Sequence, residues 1–135
     1  MSKQLWALCL AIVPWLACAQ SGIDGVWQTD PATVTGGSKL SRYLVKGGEY
    51  RCDSCAPKIR VKADGNLQPV RGNPYLDSVA AKIVDGHTLA ITSKKDNVSS
   101  TGVMTISADG KSMVREIDTV EVNGTQSHST ELLRR

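Results

Sequence analysis

The sequence predicts an all-β domain, an antiparallel up-and-down meander that closes into a barrel of about eight strands, behind an N-terminal export signal. Two observations carry the barrel. Turn dipeptides punctuate the chain at Gly36-Gly37, Gly47-Gly48, Asp64-Gly65, Asp85-Gly86, Asp96-Asn97, Asp109-Gly110 and Asn123-Gly124. Residues of these types supply the positive φ angles of tight hairpin turns. Between the turns, apolar and polar residues alternate or β-branched residues dominate, and no stretch after Ala19 has a helical period. A chain of 135 residues has room for one small domain and none for a two-domain enzyme.

The first element is the leader. Lys3 precedes an apolar run from Leu5 to Leu16, and Ala17-Cys18-Ala19 follows it. This is the charged, apolar and small-residue order of a secretory signal, and the run is too short to span a membrane as a helix. Residues 1–19 are therefore expected to be a signal peptide and residues 20–135 the mature, exported domain, periplasmic or secreted. A minority reading has cleavage before Cys18 and a lipid on its thiol; only then would the protein meet a membrane. Loss of Lys3 lowers the formal charge from +3 to +2, with no block of five like charges, which is no footprint for nucleic acid.

Strands are expected at 23–29, 40–46, 49–52, 58–63, 78–84, 88–94, 99–107, 112–122 and 126–133. The clearest is Lys58 to Ala63, which sets Ile59, Val61 and Ala63 on one face and Lys58, Arg60 and Lys62 on the other. The same alternation predicts an inward set of Val61, Ala63, Val79, Ala81, Ile83, Leu89, Ile91, Met104, Ile106, Val120 and Val122. Asn66 to Leu76, with two prolines and a glycine, is expected to be a loop across one barrel mouth.

Gly25-Val26-Trp27 opens the first strand, and the chain ends in Arg134-Arg135. With the segments Glu49 to Pro57, Lys62 to Gly65, Gly72 to Asp77 and Ser107 to Lys111, this resembles a group of small exported bacterial proteins described as lipocalin-like, or calycin-type, β-barrels of uncharacterised function. The resemblance spans roughly Gly22 to Ser112. It implies the barrel and the export, and no activity. It also implies that Trp27 closes one barrel end beneath a cation of the last strand, for which Arg134 is the candidate and Arg135 the alternative.

Cys52 and Cys55 are the sharpest local pattern. In an oxidising compartment they pair most simply as a structural disulfide. A thiol redox site is the second reading, although it wants a helix N-terminus that the flanking strands do not supply. Zinc would need His87 and His128 from distant segments, so no metal and no cofactor are expected. No nucleophile elbow, phosphate loop or dinucleotide fingerprint is present, and catalysis is disfavoured. Tyr75 and Asp77 of the Gly72 to Asp77 loop, together with Tyr50, form the candidate binding loop, with packing as the competing role for the scarce aromatics.

These features favour a non-catalytic module that binds a small apolar or amphipathic ligand in the barrel mouth. The alternatives are a solid barrel that contacts an envelope protein through its loops and, third, a redox protein using Cys52 and Cys55.

Overall fold

The computed structural model describes residues 22–33 and 40–135; the expected signal peptide and the Gly36-Gly37 turn lie outside these residues. Ten strands follow in order: β1 (Gly25–Thr29), β2 (Arg42–Lys46), β3 (Glu49–Cys52), β4 (Ile59–Lys62), β5 (Gln68–Pro69), β6 (Ser78–Asp85), β7 (Thr88–Lys95), β8 (Val98–Ile106), β9 (Ser112–Val120) and β10 (Gln126–Arg134). The helical content of the described residues is one 3-10 turn, Pro31–Thr33. The strand count is thus ten rather than eight. Nine match the expected segments, and the tenth, β5, is a two-residue strand within the expected loop.

All pairings are antiparallel, in the order β4-β3-β2-β1-β10-β9-β8-β7-β6-β5. The first strand therefore pairs with the last, and the seam of the barrel falls between β4 and β6. An isolated bridge between Asp64 and Lys82 ties it, made by a hydrogen bond of 2.7 Å from the Gly65 N–H to the Ala81 carbonyl and one of 3.4 Å from the Ile83 N–H to the Ala63 carbonyl. Closing the sheet on itself removes most unpaired edge. The barrel is nearly closed, and its seam is sealed by a turn rather than by a continuous ladder.

Alternation decides what lies inside. Val45, Ile59, Val61, Val79, Ala81, Leu89, Ile91, Met104, Ile106, Met113 and Leu133 are all buried in one cluster with Trp27, Tyr43 and Tyr50. On β9 the inward set differs from the expected one. Val120 and Val122 are 43% and 68% exposed, and the inner face carries Met113, Arg115, Ile117 and Thr119. The cause on β9 is register: Met113 pairs with Ile106, and every second residue from it points inward, which sends Val120 outside, while Val122 lies beyond the strand in the turn to β10. Outside β3, Glu49 bridges Arg51 and Arg60 at 2.5 and 2.6 Å. Those two guanidiniums, Arg60 first, hold its carboxyl below the usual range.

One end of the barrel is shut by residues 22–27. Trp27 is fully buried and its indole N–H donates to the Ile23 carbonyl at 2.9 Å. The Arg135 guanidinium lies 4.3 Å from the Trp27 ring centroid and donates to the Gly22 and Asp24 carbonyls. The cation over Trp27 is therefore Arg135; Arg134, the sequence's candidate, pairs with Asp30 at 2.5 Å. Leu133 is buried on β10, so its neighbour Arg134 must point away from the core and Arg135 back over the barrel end. Gly25 completes the arrangement. Its φ of +142° is a region that side chains avoid, and a Cβ there would meet the Arg135 Nη1 at 3.6 Å.

On the outer face of the β9–β10 hairpin, His128 pairs with Asp118 at 2.7 Å. That hydrogen bond raises the imidazole pKa above its ordinary 6.5. A raised folded-state pKa contributes stability below the unfolded value and loses it as pH rises through the folded one. In an NMR titration, His128 is expected to titrate above 6.5, and Asp118→Asn to bring it back down. An unchanged midpoint in the variant would show that the pair does not persist in solution.

Candidate functional site

The opposite end of the barrel is where the sequence's remaining candidates gather. The β3–β4 corner turns through a cis Ala56–Pro57 peptide, and the Cys52 and Cys55 sulfurs are 2.05 Å apart, at bonding distance. Cys52 is buried within the core cluster and Cys55 packs against it. The corner is also held by its backbone: the Arg42 N–H donates to the Ser54 hydroxyl at 2.9 Å, and the Asp53 N–H to the Arg42 carbonyl at 3.0 Å.

The loop between β5 and β6 faces this corner. Asn73 is buried and its side-chain oxygen accepts the Tyr75 N–H at 2.9 Å. Asp77 ties the loop to the β7–β8 turn, accepting from the Lys95 Nζ and the Asp96 N–H, each at 2.8 Å. The Lys95 contact, then the Asp96 N–H, lowers the Asp77 pKa. The three candidate loop residues thus occupy separate places. Tyr75 is 78% exposed on the rim, Asp77 anchors the loop, and Tyr50 is buried in the barrel interior.

Between corner and loop lies a cavity of about 300 Å³, whose wall includes Leu40, Tyr43, Cys52, Cys55, Tyr75 and Leu76. Beneath it is a second of about 120 Å³, with Tyr50, Ile59, Val79, Ile91, Ser93 and Arg115 in its wall. Tyr43, Cys55 and Leu76 line both, so the inner space adjoins the outer one on its barrel side. Most of the inner wall is aliphatic or aromatic.

Arg115 is the exception, a cation on the inner face of β9. Its Nη1 donates to the Tyr43 hydroxyl and, at 3.2 Å, to Glu131 on the neighbouring β10. Glu131 in turn accepts from the Thr29 hydroxyl at 2.5 Å. The guanidinium carbon is 5.1 Å from the Tyr43 ring centroid, and Tyr43 stacks on Tyr50 with centroids 5.8 Å apart. Gly102 on β8, which pairs with Ile117, lies beside it: a Cβ there would come into van der Waals contact with the Arg115 Nε at 3.5 Å. Burial opposes the charge, but the Tyr43 and Tyr50 oxygens and Glu131 outweigh it and raise the Arg115 pKa. Burial pushes the Tyr43 and Tyr50 phenols up, so both stay protonated at neutral pH.

Sequence reasoning missed Arg115 and Glu131, because charged residues are assigned to outer faces by default. A signal was present in Met113-Val114-Arg115-Glu116-Ile117, where the arginine shares a face with two apolar residues. His87 and His128 are both exposed, far from the disulfide corner in sequence. Comparison with known proteins returned no matching family model, no similar curated protein and no similar solved structure.

Proposed function

We propose that this protein is an exported, non-catalytic binding module of the lipocalin-like kind, which holds one small amphipathic ligand in the open end of its barrel. The observation that carries this reading is the adjoining pair of cavities that share Tyr43, Cys55 and Leu76 in their walls. An eight-strand or slightly larger barrel either fills with side chains or leaves space for one small guest. Here the large rings are spent on the closed end and one wall, and the middle-sized aliphatics opposite leave a hollow. Leu40 and Tyr75, about half and mostly exposed, supply apolar surface at the entrance. The signal-like leader supports export.

The test is calorimetric titration with octanol, supported by native mass spectrometry of protein purified from its own host. The native protein is expected to take up one guest per chain. Ser93→Phe, which projects a ring into the inner cavity from a half-buried position, is expected to abolish uptake while circular dichroism stays that of a folded β protein. No uptake by the native protein, or equal uptake by a folded Ser93→Phe variant, would overturn the reading.

A further inference from the structure

We infer that the guest of this cavity carries an oxyanion head, a carboxylate in the simplest case, that enters first and is held by Arg115, with its apolar tail in the outer cavity. This rests on the cavity being a binding site and goes further by naming the ligand's chemical class.

Three features point to it. Among the described residues of the inner cavity wall Arg115 is the one that carries a charge; Glu131, its carboxylate partner, is not among them. A guest therefore meets the cation directly and the anion only behind it.

The guanidinium is also poorly satisfied for a side chain only 19% exposed. Both of its hydrogen bonds leave from Nη1. The Nε is buried without a partner, closed to a guest as it is to water, and Nη2, which makes no hydrogen bond among the described residues, is the nitrogen left for one. An arginine has five donors arranged to grip a carboxylate with two parallel bonds, and Glu131 is engaged by one nitrogen only. The capacity that remains suits an oxyanion and repels an ammonium.

Size agrees. At about 30 Å³ for each water-sized group, the inner cavity holds roughly four such groups, enough for a carboxylate and its first methylene. The rest of a medium-length chain then falls in the outer cavity of about 300 Å³ against Leu40, Tyr75 and Leu76.

The experiment compares octanoate, octanol and octylammonium on the native protein and on Arg115→Met and Arg115→Lys. Octanoate is expected to bind the native protein about tenfold or more tighter than octanol, as charge-assisted hydrogen bonds dictate, and octylammonium weakest. Arg115→Met is expected to erase the preference for octanoate while octanol binding persists, and Arg115→Lys to restore part of it. Glu131→Gln, which removes the competing charge, is expected to strengthen octanoate binding. Equal binding of octanoate and octanol by the native protein would overturn the head-group assignment and leave the cavity reading intact. A preference that survives in Arg115→Met would do the same. If none of the three binds, the cavity reading fails and this inference with it.

Discussion

Trp27→Ala is expected to destabilise the protein by about 3–5 kcal/mol, as loss of a fully buried indole does elsewhere, and to lower the thermal midpoint by roughly 10 °C or more. Trp27 sits where the N-terminal segment crosses the barrel end, and it is both filler and donor. Its removal empties the space beneath Arg135 and leaves the Ile23 carbonyl without its indole partner. Urea unfolding followed by circular dichroism measures the loss. Two companion variants test the geometry rather than the bulk. Arg135→Ala removes the stacked cation, worth about 0.5–1 kcal/mol where partly solvated, together with two bonds to carbonyls of the closing segment. Arg134→Ala touches only the pair with Asp30 outside the barrel and is expected to do less. If Arg134→Ala proved the more damaging of the two, the facing of the last strand would be wrong.

The fold was legible in the chain because its turns and its alternation agree. Wherever a segment carried apolar residues on one face and charges on the other, as in Ile59-Arg60-Val61-Lys62, facing followed directly, and the structure buries Ile59 and Val61. Facing failed on β9, whose two faces read alike. Val114 and Val120 stand outside and Arg115 inside, so local polarity points the wrong way for three residues. Only the ladder with β8, where Met113 meets Ile106, settles the matter, and that pairing is not local in the sequence. The terminal arginines were ambiguous for the same reason: one residue of register separates a cation over Trp27 from one in solvent.

The candidate site was half legible. The disulfide corner and the Gly72 to Asp77 loop stood out as irregular segments rich in turn residues, and both line the cavity mouth. The floor of the cavity did not, because it is assembled from β2, β3, β4, β6, β7 and β9, each contributing one or two ordinary strand residues. A cavity is a property of side-chain volumes across the barrel, and no single segment encodes it. Asp77, prominent in the sequence, serves instead to pin the loop to the β7–β8 turn.

The interior charge pair yields the second large effect. Glu131→Ala is expected to destabilise the protein by about 2–4 kcal/mol, somewhat below the value for a fully buried pair. Arg115 and Glu131 are 19% and 18% exposed, so water cannot fully solvate the cation once its carboxylate is gone. The Thr29 hydroxyl loses its acceptor too, keeping only the Ser41 carbonyl at 3.3 Å. Glu131→Gln keeps the shape and an acceptor oxygen for Arg115 while removing the charge, and is expected to cost about half as much. The double variant Arg115→Met with Glu131→Leu removes both charges at once. It is expected to recover most of the stability lost by Glu131→Ala, because replacing a buried pair with apolar side chains of similar volume is close to neutral. Urea midpoints at constant slope for the native protein, Arg115→Met, Glu131→Leu and the double variant give the coupling. Additive losses, with the double variant the least stable, would mean that the two side chains act independently and that Arg115 is already well solvated. Recovery would show a barrel that keeps an interior cation at the expense of its own stability, at the position that faces the cavity.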